Sequence, residues 1–351
     1  MNQKVSVQEL IEAAKQHSSE CLHPAAGTAT CAGGPVQAHS VREPDLRRIA
    51  RAGHVYALLP DFREQDPRGY RVPPKLIGVR RASTFTGFCS KHDAETFARI
   101  EREEIVPDRE QAFLLTYRAL CREVWASSAD LPFLEVALDH LERDPEAVWA
   151  AARATEMVCH VTYKHIWYDG WKSRLDRMLL CGEYRRAGYF MAVLDECPPF
   201  LCAGWAPPIF DFAGRFVQSL QSSPALPEYV ALSVLPHPSG GLVALTWVGE
   251  PQGASSRLAQ SLNKMPQPQI LRAVMRFALA KTENLYFNPD WWEALAANER
   301  NSVLEMFNIG IVASHREMPG TFLSGTVPRL PCQVTRTEIV TLHPSAMIRA
   351  A

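Results

Sequence analysis

"STFTGFCSKHD", residues 83–93, decides how the front of this chain is read. Cys89 and His92 are separated by two residues, the gap that lets both side chains reach one ion from a tight turn. The residues that follow, "DAETFARIE", favour a helix, so the pair stands at a helix start, where backbone N–H groups and the dipole stabilise a thiolate. Such a pair is half of a tetrahedral site. The other half is expected upstream in "CLHPAAGTATC", residues 21–31, where Cys21, His23 and Cys31 are three candidates for two places. The expected set is Cys21, Cys31, Cys89 and His92, with His23 either a substitute ligand or a group that supports one. A closed set of four is the chemistry of a structural zinc ion (Zn).

The rest of the composition narrows the class. The chain has 351 residues, 47% of them hydrophobic and 21% charged, as in an ordinary globular protein. A net charge of −1 excludes a global basic field, so any nucleic-acid contact must come from a local patch. No apolar run approaches the roughly 18 residues of a membrane span, and no membrane partner is expected. The opening "MNQKVSVQELIEAAKQHSSE" has the pattern of a short amphipathic helix and lacks a secretory core, so a cytoplasmic location is expected. Nine cysteines, an odd number without an export signal, favour thiols and metal ligands over a disulfide framework.

Residues 1–105 are rich in Gly, Pro and Arg and poor in helical periodicity, whereas 106–351 alternates helical patterns with strands. The expected fold class is α+β: a zinc-stabilised, treble-clef-like module over 1–105, then a larger domain of long helices with a small antiparallel sheet. In "DREQAFLLTYRALCREVW" Phe113, Tyr117, Leu120, Cys121 and Val124 share one face, predicting a helix from near Asp108. Asp144 and Pro145 suit the cap and first turn of a long helix that breaks near Gly170. Val230, Leu232 and Val234, then Val243, Leu245 and Trp247, alternate around a Pro-Ser-Gly-Gly turn and predict a β-hairpin. Two helices are predicted near 267–281 and 290–308. "ENLYF", residues 283–287, looks like most of a tag-removal site, but Asn288 follows it and caps the next helix, so it reads as native sequence. "PPFLCAGWAPPIFDFAGRF" reads as an irregular packed segment.

Taken together, "CLHP…C…AHS", "GHVYALL" and "ASTFTGFCSKHD" resemble a group of uncharacterised bacterial proteins with this N-terminal Cys/His module. Their order is also similar to the treble-clef form of HNH endonucleases. That resemblance implies His39 as a general base acting on water, and Asp93 near a second divalent ion, Mg or Mn, that steadies the leaving phosphate oxygen. Phe97 stands where the HNH helix places a histidine or asparagine.

Between residues 41 and 100, twelve Lys/Arg face seven Asp/Glu. Arg63, Arg68, Arg71, Lys75, Arg80 and Arg81 are interleaved with Phe62, Tyr70 and Phe85, a mix suited to the phosphates and unstacked bases of DNA or RNA. Two functions follow as expectations: a zinc-stabilised, nucleic-acid-related binding or sensing protein whose C-terminal domain contacts a protein partner, or an HNH-like metal-dependent nuclease. His165 and Asp169, one helical turn apart, read as a satisfied helix interface, and Cys121, Cys159 and Cys181 as small apolar fillers.

Overall fold

The structure, a computed structural model, describes residues 20–58, 65–66, 69–70, 74–106, 108–128, 130–143, 148–220, 226–312, 318–323 and 325–341. These residues form twelve strands: β1 Pro35–His39, β2 His54–Leu58, β3 Gln65–Asp66, β4 Gly69–Tyr70, β5 Pro74–Gly78, β6 Thr84–Cys89, β7 Ala187–Leu194, β8 Phe200–Ala206, β9 Val230–His237, β10 Gly240–Val248, β11 Leu285–Phe287 and β12 Val334–Val340. Their helices are α1 Glu43–Ile49, α2 Ser90–Thr96, α3 Ala98–Glu101, α4 Arg109–Ser127, α5 Asp130–Glu142, α6 Val148–Cys181, α7 Ala254–Asn263, α8 Gln267–Lys281, α9 Pro289–Ala294 and α10 Ala297–Val312.

The chain divides into two compact units built from interleaved segments. The first holds Met1–Ala38, Phe85–Thr96 and Leu120–Gly182; the second holds His39–Thr84, Phe97–Ala119 and Glu183–Ala351. Each unit therefore draws on residues from both sides of position 105.

The second unit is organised by one antiparallel sheet in the order β12-β7-β10-β9-β8-β11-β2-β5. The expected hairpin is present, with Gly240 opposite His237 and Pro238-Ser239 forming the turn. Its alternating residues Val230, Leu232, Val234, Val243, Leu245 and Trp247 enter one apolar core with Leu258, Leu262, Val274 and Phe277 of α7 and α8. On the opposite face the side chains are smaller, and Thr246 Oγ1 lies 2.9 Å from Thr116 Oγ1 of α4. Helices thus cover both faces, and β8 is buried along its whole length. Close packing has a local requirement at Gly188, where a Cβ would come within 2.5 Å of the Trp247 ring.

The sheet is large rather than small, which corrects the sequence expectation. Strands buried on both faces are near-continuous apolar runs with little alternation, so periodicity cannot separate them from other packed segments. "FLCAGWA" is such a run: it is β8, not irregular chain. "LYF" of residues 285–287 is β11, held between β8 and β2. Asn288 accepts a hydrogen bond from Trp291 N at 2.9 Å and starts α9, as expected for native sequence. The predicted helix over 290–308 is two helices, α9 and α10. No helix among the described residues is long and apolar enough to cross a membrane.

The first unit has a two-stranded sheet of β1 and β6, the C-terminal half of α4, and the helices α2, α5 and α6. Phe85 and Phe88 of β6 are buried, and the Phe85 ring meets Trp125 edge-on at 6.1 Å. Trp125 Nε1 donates to Thr86 Oγ1 at 3.0 Å, fixing α4 to the strand. α6 runs unbroken through Gly170, so the expected break is absent; the Asp144–Pro145 start lies outside the described residues. Cys121 is buried as expected, whereas Cys159 and Cys181 are exposed on α6 and fill no core. His165 Nε2 lies 2.7 Å from the Ser127 carbonyl, a satisfied contact.

Candidate metal centre

Four ligand-type residues converge in the first unit: Cys21, Cys31, Cys89 and His92. Cys89 ends β6 and His92 lies in the first turn of α2, so the strand-to-helix junction supplies one pair. The other pair comes from the loop before β1. Leu22 N donates to the Gly87 carbonyl at 2.7 Å, bringing that loop alongside β6. Gly87 allows the approach, because a Cβ there would lie 2.6 Å from the Phe85 ring and 3.2 Å from Leu22 Cδ1. Lys172 of α6 donates to the Leu22 carbonyl at 2.6 Å and is held by Asp176, so both backbone groups of Leu22 are fixed beside Cys21. On the Cys31 side, Thr30 N and Cys31 N both turn back onto the Gly27 carbonyl.

The four ligand atoms lie within 4.8 Å of one another. His92 Nδ1 is 3.5 Å from Cys21 Sγ, 3.6 Å from Cys31 Sγ and 3.3 Å from Cys89 Sγ. One imidazole nitrogen carries at most one proton, so it can hydrogen-bond to only one of three sulfurs at a time. A shared ion accounts for all three distances. With metal–sulfur bonds of about 2.3 Å and metal–nitrogen bonds of about 2.0–2.1 Å, a tetrahedron has S···N edges of about 3.5–3.6 Å. The Cys3His cluster is thus compatible with a structural metal ion.

The electrostatics differ from one sulfur to the next. Burial alone raises the Cys89 thiol, but the backbone N–H groups of His92 and Ala32 and the Cys31 and Cys21 thiols outweigh it and hold Cys89 below its ordinary value. Burial is the main cause that keeps Cys21 above its ordinary value, although the Cys89 and His23 backbones oppose it. Such thiols become ligands by losing protons to the ion.

His23 is not in the four-residue set. Its ring stacks on His92 at 4.1 Å between centroids and 11° between planes, and its Nδ1 accepts from Ala25 N at 3.2 Å. Burial first, and the neighbouring His92 and Lys172 second, push its pKa down to about 4. The stack sets its ring face against that of His92.

The other residues singled out by sequence are not among the four that converge. His39 ends β1 and its Nε2 lies 3.2 Å from the Val79 carbonyl. It is the first residue of the second unit, whereas all four cluster residues belong to the first. Asp93 follows His92 in α2 and is half-buried. Lys75 of β5, and Arg80 and Arg81 after it, are exposed. Arg80 Nε is 4.0 Å from Glu43 Oε1. Arg63, Arg68, Arg71 and Phe62 lie outside the described residues, as does the side chain of Tyr70. Phe85 cannot stack on a base: it is 2% exposed and packed among aromatic neighbours. The contribution of Lys172 and Asp176 is not signalled by sequence, because a lysine–aspartate pair one helical turn apart is commonplace on solvated helices.

No protein family and no solved structure match the chain. It is 33% identical over 102 residues to a subunit of eukaryotic translation initiation factor 3 from Schizosaccharomyces pombe, a match that covers 26% of this chain and 33% of that protein. The chain spans about a third of the length of that relative.

Proposed function

We propose that this protein is a zinc-stabilised binding component, treble-clef-like in its first unit, that works with a nucleic-acid-related partner rather than by catalysis at the metal. The observation that carries the reading is the closed Cys3His set around one point. Four protein ligands leave no coordination position for water or substrate, and thiolates select zinc over the oxygen-seeking Mg and Mn. When bound, the ion supplies a cross-link and neutralises the thiolates. Cys21, Cys31, Cys89 and His92 hold it, and His23 and Lys172 hold their geometry.

The treble-clef likeness is supported by chain order. A first pair of ligands precedes β1, β1 pairs with β6, and β6 leads through Cys89 into the ligand-bearing α2. For the partner, exposed Lys75, Arg80 and Arg81 offer phosphate contacts. The partial likeness to a protein named as part of a translation initiation factor favours a partner-binding role over a solitary enzyme.

Purified protein should carry about one equivalent of zinc. Binding to single-stranded RNA or DNA should weaken with salt, and a Lys75→Glu, Arg80→Glu, Arg81→Glu variant should lower both the affinity and the salt slope. Protein that holds less than about a tenth of an equivalent of metal would end the zinc reading. Cleavage of plasmid DNA or RNA with Mg or Mn, abolished by His39→Ala, would replace the binding reading with the nuclease one.

A further inference from the structure

We infer that β12 is a self-complementary edge through which two copies of this chain pair, strand against antiparallel strand, about a two-fold axis at Thr337. Among the described residues β12 is the outermost strand on its side of the sheet, hydrogen-bonded to β7. Its sequence is VTRTEIV, seven residues in which Val, Thr and Ile dominate. These β-branched residues favour extended chain, no proline interrupts them, and the strand's two charges, Arg336 and Glu338, are of opposite sign. From Arg336 to Val340 the ladder with β7 is regular; the register shift lies before it, between Val334 and Arg336. An edge of this kind is a template for another strand unless something covers it.

The arrangement of charge names the occupant. In an antiparallel pair centred on Thr337, position 336 faces position 338 of the other strand, and the reverse holds by symmetry. Arg336 therefore meets Glu338 of the second copy, twice, on one face of the sheet, with Thr337 opposite itself on the other face. The register with β7 supports this assignment of faces. Arg336 and Glu338 stand opposite Val193 and Met191, whereas Thr337 stands opposite Ala192. Arg336 and Glu338 are exposed, and Tyr189 donates to Glu338 Oε1 at 3.1 Å, which holds that carboxylate on the required face. Opposite charges directly across a pair of strands stabilise it, whereas like charges oppose it. A second copy supplies the complementary pattern with no further assumption, and the resulting interface is isologous. Two eight-stranded sheets become one continuous sheet.

The test is the mass of the full-length protein by light scattering and sedimentation across a concentration series. Wild type should show a monomer–dimer equilibrium with a micromolar dissociation constant, as suits a small interface. Arg336→Glu sets two carboxylates against each other at both symmetric positions and should weaken the dimer about tenfold or more. Glu338→Arg, which opposes two guanidinium groups, should do the same. The double variant Arg336→Glu, Glu338→Arg restores both pairs and should recover the dimer to within about threefold of wild type. Circular dichroism of each variant separates lost pairing from lost folding. A wild type that stays monomeric at every concentration, or a double variant no better than the singles, overturns the inference. Removal of residues 342–351 that converts a monomer to a dimer also overturns it, because the chain's own C-terminal segment would then be the occupant.

Discussion

In the second unit, helices cover both faces of an eight-stranded sheet, and Trp247, Phe200 and Phe287 are fully buried. The first unit has a two-stranded ladder, and its longest helix leaves Tyr163 and Ile166 60% and 56% exposed. The ligand cluster lies in the unit with the smaller sheet. Where a chain encloses enough apolar area, hydrophobic burial suffices to fix it; where it does not, a cross-link between distant segments takes over part of the task. Here the ligand pairs, at 21 and 31 and at 89 and 92, flank a long segment of which residues 39–84 belong to the other unit, so closing that loop has an entropic cost that a bound metal ion would offset.

This contrast is challenged most directly by removing a ligand. Cys89→Ser should reduce bound metal from about one equivalent to under a tenth. Hydrogen exchange should then speed up in residues 85–96 and 120–182 while β9 and β10 keep their protection. Equal loss in both units would refute the separation. The converse experiment is Trp247→Ala, which removes a fully buried ring from the sheet core and should cost about 3–5 kcal/mol in denaturant unfolding with no change in metal content.

A finer test concerns the tie between the cluster and α6. Lys172→Met keeps the apolar stem but loses the bonds to the Leu22 carbonyl and Asp176. Groups that orient metal ligands typically affect metal affinity by about 10–100-fold, and about tenfold faster release to a chelator is expected here. Unchanged release would mean that α6 contributes nothing to the site. The smallest effect expected is at His23. Its pKa is about 4 in the fold against 6.5 for an ordinary histidine, so between those values the unfolded chain binds a proton that the fold does not. Its contribution is intact above pH 6.5 and is lost as pH falls toward 4. His23→Gln should flatten the acid limb of the stability–pH curve in that window, and an unchanged limb would show that the stacked ring is not the source.

How much of the molecule is legible in its residues depends on the range of the interactions. The Cys89–His92 pair declares itself by a two-residue gap, and the 21–31 stretch by its density of ligand types. The β9–β10 hairpin and α8 follow from local periodicity and turn chemistry. By contrast, β8 and β11 are buried on both faces and carry no alternation, so nothing in their residues names their neighbours. Phe85 reads as a base-stacking aromatic because sequence shows residue type and not exposure. Spacing leaves Cys21, His23 and Cys31 as three candidates for the two upstream places, since all three lie within one eleven-residue stretch.

Read as a string of residues, the chain already specifies which side chains can hold an ion and where the strongest helices and the hairpin form, because those depend on neighbours a few positions apart. Folding in three dimensions alone brings Cys21 and Cys31, and not His23, together with Cys89 and His92, pins Leu22 between Gly87 and Lys172, and gathers scattered segments into one large sheet. Those outcomes depend on contacts between residues far apart in the chain, whose free energy exists only once the backbone has closed around them.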